Sequence, residues 1–200
     1  MKNLKELTGV VPIIPTPFLE DEEIDEAALR NLIEFAINSG VQGVCLPAYA
    51  SEFYKLTDEE KLRVVEIAID QAAGRILIMA QSNSPSLKIA INLAKANVTA
   101  GTDIVSITVP RIFSLPEASI QSYLSGFLES IPDTPVLIQD FNPGGASIGV
   151  SLINYLRTTY PNFKYLKLEE PLCAPKIESI IQTTEGAVGV FEGWGGLYLM

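Results

Sequence analysis

The sequence predicts an α/β chain of repeated strand–helix units, expected to form a (β/α)8 barrel, and three observations predict it. Short β-rich runs recur about every 30 residues: VVPII from 10, GVCLP from 43, RILIMA from 75, IVSITV from 104, PVLIQD from 135, FKYLKLE from 163 and AVGVF from 187. The segments between them carry apolar residues at helical spacing. Several strands also have one polar and one apolar face, as barrel strands do when they line a site and pack on helices. With 200 residues, 48% of them hydrophobic, a single domain over 1–200 has enough chain for one substantial core.

The elements follow in order. Asp25 stands as N-cap before EAALRNLIEFAINSG, whose Ala28, Leu29, Leu32, Ile33 and Ala36 share a face, with Gly40 as the stop. Thr57 followed by Glu60 is a capping box ahead of LRVVEIAIDQAAG, which Gly74 ends. Later helices are expected over SLKIAINLAKANVTAG, PEASIQSYLSGFLES, SLINYLRTT and PKIESIIQ. Alternation of this kind fits either a barrel or a doubly wound sheet. In IVSITV, Ser106 and Thr108 share a face opposite Val105, Ile107 and Val109. In FKYLKLE, Tyr165, Lys167 and Glu169 oppose Leu166 and Leu168. These two-faced strands favour the barrel, and the absence of a GxGxxG or GxxxxGK[ST] loop removes the dinucleotide and P-loop signatures. Seven strands leave a barrel one short, with an open edge at WGGLYLM. The chain is therefore expected to be a segment truncated before the eighth strand and the C-terminal helices.

Composition narrows the chemistry. A net charge of −10 argues against nucleic acid as a partner. Pro12 and Pro15 break the apolar start far short of a membrane span, which sets the expectation of a cytoplasmic protein. Cys45 and Cys173 stand alone, without metal-site spacing. With no histidine, Ser-His-Asp and Cys-His nucleophile pairs and histidine-ligated metals are excluded. Lys, Asp, Glu, Tyr and Ser remain.

Catalytic groups of barrel enzymes gather at the C-terminal ends of strands. Those positions hold Thr16, the loop PAYASEF at 47–53, Gln81 and Ser82, Arg111, Asp140, Lys167 with Glu169, and Glu192. Lys167 is the one lysine among them that lies within a strand. A lysine in a partly dry pocket loses its proton more readily, and its neutral amine attacks a ketone to give an imine, an acceptor for electrons of a neighbouring bond. Glu169, two residues on along the same face, favours the charged lysine.

Several of these stretches resemble one known family. TPF at 16–18, a glycine-entered second strand followed by ASE and LTDEE, GTD at 101–103, a proline-bearing turn after PVLIQD, YLKLEE and FEGWG match, in order, the dihydrodipicolinate synthase/N-acetylneuraminate lyase family. The resemblance implies a class I lyase or aldolase on a (β/α)8 barrel, often homotetrameric. It implies an imine between Lys167 and pyruvate or another 2-oxo acid, with no cofactor. Glu52 matches the glutamate of the family's glycine-threonine-threonine-glycine-glutamate loop. Tyr49 and Ala50 stand at that loop's two threonines and Ser51 at its second glycine, while Asp140 stands where the family's relay tyrosine is found. No arginine occurs between 112 and 156, where the synthase branch keeps its substrate-carboxylate arginine. The expected activity is accordingly a related lyase or aldolase rather than dihydrodipicolinate synthesis itself. On this reading Lys167, Asp140 and Tyr49 are catalytic, with Asp140 as acid/base, and Ser51, Ala50, Thr16, Glu169, Glu192 and Arg111 bind substrate.

Two other readings compete. Asp140, Glu169 and Glu192 end three consecutive strands and as a set would hold magnesium against a carboxylate substrate. Alternatively the barrel keeps its lysine and binds a 2-oxo acid without turning it over.

Overall fold

Pro12 and Pro15 decide how the chain enters its sheet. The computed structural model describes residues 7–111, 113–142 and 147–193. In it the first β-rich run makes a single parallel bridge, Ile13 to Cys45, instead of a strand. The Ile14 N–H donates to the Cys45 carbonyl and the Cys45 N–H to the Pro12 carbonyl, each at 3.0 Å. Proline has no N–H to carry a ladder onward, so the pairing stops there. The expectation of seven strands is corrected to six among the described residues, and WGGLYLM, Trp194 of FEGWG and Pro143 lie outside them.

The strands are β1 (Gly43–Leu46), β2 (Leu77–Gln81), β3 (Ile104–Thr108), β4 (Val136–Phe141), β5 (Phe163–Glu169) and β6 (Gly189–Glu192). The helices are α1 (Glu26–Asn38), α2 (Asp58–Ala72), α3 (Leu87–Ala100), α4 (Glu117–Ser130), α5 (Val150–Thr159) and α6 (Ala174–Thr183). The strand order in the sheet follows the chain order. By contacts the chain forms two compact units, one holding Met1–Ser82 and Asn92–Val105, the other Asn83–Ile91 and Ser106–Met200. No helix among the described residues is long and apolar enough to cross a membrane.

In the first unit β1 pairs with β2 in parallel, from Gly43 opposite Leu77 to Leu46 opposite Ala80. A Cβ on Gly43 would sit 2.9 Å from the Leu77 carbonyl oxygen, so glycine is what admits the close approach. Leu29, Ile33 and Ala36 of α1 meet Val64, Ile67 and Ala68 of α2 and Val44, Leu46 and Ile78 of the strands in one apolar cluster. Both helix starts are fixed as their sequences predict. Asp25 Oδ1 accepts the Ala28 N–H at 2.9 Å, and Thr57 with Glu60 forms a complete capping box.

In the second unit β4, β5 and β6 pair in parallel. Leu166 and Leu168 are fully buried, as expected for the apolar face of β5. The helices bury Leu124 and Phe127 of α4, Ile153 and Leu156 of α5 and Ile180 of α6. Alternation along β5 then turns Tyr165, Lys167 and Glu169 the other way, with the Tyr165 ring edge-on to Phe191 at 6.0 Å between centroids. One irregularity interrupts the ladder: Val136 faces Phe163 but Leu137 faces Tyr165, leaving Lys164 as an extra residue on β5.

The core contribution of α1 is measurable. Ile33→Ala, at a site with no exposed surface, should lower unfolding stability by about 3 kcal/mol in urea titrations. Asp25→Ala, which removes only the cap, should cost about 1 kcal/mol.

Candidate active site

Lys167 sits two residues before the end of a buried parallel strand, in register with Gln139 of β4 and Phe191 of β6. Its side chain retains 20% exposure, and its Nζ lies 3.1 Å from Glu169 Oε1. The other carboxylate oxygen of Glu169 accepts a hydrogen bond from Gln139 Nε2 at 2.6 Å. Gln139 Oε1 accepts from Thr108 Oγ1 at 3.3 Å, and the Thr108 N–H donates to Asn83 Oδ1 at 2.8 Å. A polar row therefore runs from Asn83 through Thr108, Gln139 and Glu169 to Lys167, and every member except the lysine is at least about nine-tenths buried.

Glu169 is also confined by backbone. The Gly193 N–H donates to the Leu168 carbonyl at 3.1 Å, which brings the chain after β6 over the end of β5. A Cβ on Gly193 would lie 2.6 Å from Glu169 Cδ and 2.7 Å from Oε1, inside van der Waals contact. Only a residue without a side chain fits there while Glu169 stays where it is.

Asp140 is placed differently from the expectation for an acid/base beside the lysine. It is in register with Leu168, so its side chain projects on the opposite face from Lys167, with no exposed surface. Its Oδ1 accepts from Arg111 Nη2 at 2.6 Å and Nε at 3.1 Å, and its Oδ2 from the Ile148 N–H at 2.6 Å. The structure thus joins Arg111 to Asp140 and Glu169 to Lys167.

Glu192 is likewise in register with Leu168 and faces away from Lys167. Burial pushes the nearby Cys173 thiol above its ordinary range, and the charge of Glu192 adds to the rise. This arrangement does not favour the magnesium reading, since Asp140 and Glu192 share one face while Glu169 takes the other. Among the described residues, no three acidic or cysteine side chains gather as a metal site.

The remaining expected residues belong to the first unit. Tyr49 opens a short 3-10 turn, Tyr49–Ser51, is 41% exposed and sets its ring edge-on to Phe53 at 5.2 Å. Ala50 is exposed. Ser51 is fully buried, and its hydroxyl donates to the Ile14 carbonyl at 2.5 Å while its own carbonyl accepts from Thr16 Oγ1 at 2.8 Å. Thr16 and Ser51 are therefore brought together as a brace of this loop. Glu52 follows at φ 59° and pairs with Lys55 at 3.0 Å on the surface. Gln81 ends β2 and Ser82 follows it, both buried, with Ser82 Oγ accepting from Asn97 Nδ2 at 3.1 Å.

Sequence reasoning missed Gln139, Asn83 and the part played by Gly193. Gln139 lies one residue before Asp140, and only the strand register distinguishes the two. Asn83 had a weak signal in the polar run after RILIMA. Its Oδ1 is bound, yet its buried Nδ2 has no hydrogen-bond partner among the described residues, an omission that ordinarily costs about 1–3 kcal/mol. Its loop is pinned from α4, where the Tyr123 hydroxyl donates to the Ser84 carbonyl. Burial raises the Tyr123 phenol far above its ordinary range, so it stays a donor.

A parallel α/β frame whose strand ends hold a half-buried lysine against a glutamate defines a protein with a lysine–carboxylate centre. The profile of the dihydrodipicolinate synthetase family matches residues 6–198, and the chain belongs to that family. It is 30% identical over 161 residues to a 4-hydroxy-tetrahydrodipicolinate synthase of Thermus thermophilus, covering 80% of this chain and 53% of that protein. It is 24% identical over 196 residues to the L-2-keto-3-deoxyarabonate dehydratase of Azospirillum brasilense, covering 96% of this chain and 63% of that protein. Among solved structures it resembles YagE of Escherichia coli K12, determined in complex with pyruvate, at a TM-score of 0.85 and 25% identity. That match covers 94% of this chain and 63% of the other. The chain thus spans less than two thirds of the length of these relatives.

The end of β5 carries a second carboxylate, Glu170, which accepts from the Ser147 N–H at 2.8 Å and from the Ser147 hydroxyl, and pairs with Lys176 at 3.2 Å. Burial disfavours its ionised form, but the two Ser147 hydrogen bonds and Lys176 outweigh that and hold the carboxyl below its ordinary value. A depressed folded value stabilises the fold above the unfolded value and loses that contribution as pH falls through the folded one. The urea midpoint of Glu170→Gln should therefore lie below that of the parent at pH 7. The gap should narrow as titrations are repeated below the ordinary carboxylate range of about pH 4.3.

Proposed function

We propose that this chain carries the imine-forming centre of a class I lyase or aldolase acting on a 2-oxo acid such as pyruvate. The observation that carries this reading is the placement of Lys167, half-buried on a parallel strand with a carboxylate 3.1 Å from its Nζ. Membership of the family, and the pyruvate named with the YagE structure, support it. Tyr49 and Ala50 in the family's threonine positions support a reaction other than dihydrodipicolinate synthesis.

In this reading the steps run through the pair of Lys167 and Glu169. Glu169 accepts a proton from the Lys167 ammonium, and the freed amine attacks C2 of the 2-oxo acid. The amine proton moves to the carbinolamine oxygen. Glu169 then returns its proton to that hydroxyl, which leaves as water, and the product is a protonated imine with Glu169 again ionised. Net, ammonium and ketone give iminium and water. The iminium accepts the electron pair released when a bond at the adjacent carbon breaks, and gives it back when one forms. Gln139 Nε2 donates to the second oxygen of Glu169 throughout and keeps the carboxylate aligned. Asp140, bound on both oxygens, serves in this scheme to hold Arg111 and the Ile148 N–H.

Borohydride reduction in the presence of pyruvate should leave a stable mass increase on the Lys167 peptide, found by digestion and mass spectrometry. The Lys167→Arg protein should stay unlabelled there. Intact parent protein that gains no mass with pyruvate or a panel of longer 2-oxo acids would sink the reading.

A further inference from the structure

We propose that Gly193 and Gln139 are positioning residues that together lock the Glu169 carboxylate onto the Lys167 ammonium; the proposal rests on the imine reading for its chemistry. Two independent observations lead to it. Gln139 holds Glu169 Oε2 at 2.6 Å from the neighbouring strand, on the face it shares with Lys167. Gly193 closes the opposite side, where any β-carbon would overlap the Glu169 side chain.

The two restraints differ in kind. Gln139 supplies direction, because a carboxamide N–H binds one oxygen along one line and leaves Oε1 for the lysine. Gly193 supplies space, because the hydrogen bond from its N–H to the Leu168 carbonyl brings its Cα against Glu169, and only a missing side chain leaves the carboxylate its place. A proton carrier must lie within hydrogen-bond reach of the atom it serves, and misplacement by about 1 Å is enough to lower a rate by as much as 10²-fold. The acid on this face is thus set by a glutamine on β4 and a glycine after β6, neither of which exchanges a proton.

The test uses the intact chain, the variants Gly193→Ala and Gln139→Met, and each of these combined with Glu169→Gln. With pyruvate and borohydride, either single variant should lower the limiting rate of Lys167 adduct formation about tenfold or more. The pyruvate concentration at half-maximal rate should change by less than about threefold. In the Glu169→Gln background neither substitution should lower the rate further, since both act through the same carboxylate. A loss of equal size in both backgrounds would overturn the proposal, for that is what general loosening of the fold produces. A second measurement needs no 2-oxo acid: acetic anhydride labelling of Lys167, scored by mass against Lys95 in the same sample. Either single variant should raise the Lys167 labelling ratio about threefold, because an Nζ no longer held against Glu169 is more open to the reagent. Should the parent form no adduct while the labelling ratios move as stated, positioning stands and the imine reading falls. Should the parent form the adduct while both variants leave adduct rate and labelling unchanged, positioning falls and the imine reading stands.

Discussion

The register of β4 against β5 decides which side chain stands beside Lys167. A regular ladder begun at Val136 opposite Phe163 would bring Asp140 opposite Lys167. The extra residue at Lys164 moves the pairing by one, so that Gln139 faces the lysine and Asp140 faces Leu168. A one-residue step sends every later side chain to the other face of the sheet. Without it, Asp140 and Glu169 would be two carboxylates on one face, each raising the cost of ionising the other. With it, the lysine has one carboxylate and that carboxylate has a neutral donor. Lys164 itself is exposed, so the step is made where the side chain needs no packing partner.

The same step frees Asp140 for a second task. Asp140 takes the Ile148 N–H, and Glu170, at the end of the next strand, takes the Ser147 N–H. These neighbouring amides lie just ahead of α5, whose N-cap Gly149 offers no side-chain acceptor. Negative charge near a helix start is favourable. Two buried carboxylates from the strand ends thus hold the approach to α5 and place charge near its start, whereas Asp25 and Thr57 accept N–H groups within the first turns of α1 and α2. Each is neutralised in turn, Asp140 by Arg111 and Glu170 by Lys176, which offsets the desolvation that isolated buried charges would suffer.

What could be read from the sequence was local. Caps, helical faces, the alternation along FKYLKLE and the position of Lys167 within that strand all depend on residues within a few positions of one another, and they stand in the structure as expected. The first run is apolar and β-branched, which locally predicts a strand, but its two prolines deny it a ladder. The neighbour of Asp140 in space follows from a register that depends on one extra residue in another strand. Gly193 lay inside a quoted motif, yet its reason for being glycine is a side chain distant in sequence, at Glu169. Each of these is a pairing between segments, which no spacing within one segment encodes.

The direction of the polar row follows from its donors. Asn83 Oδ1 takes the Thr108 N–H, and the Thr108 hydroxyl, having one proton to give, directs it to Gln139 Oε1. That fixes the carboxamide of Gln139, since its oxygen end faces Thr108 and its nitrogen end has to face Glu169. A carboxylate oxygen accepts there, so Glu169 Oε2 is taken by the Gln139 N–H. Contact with the lysine falls to Oε1, 3.1 Å from Nζ. A threonine two strands away thus determines which oxygen of Glu169 the lysine meets.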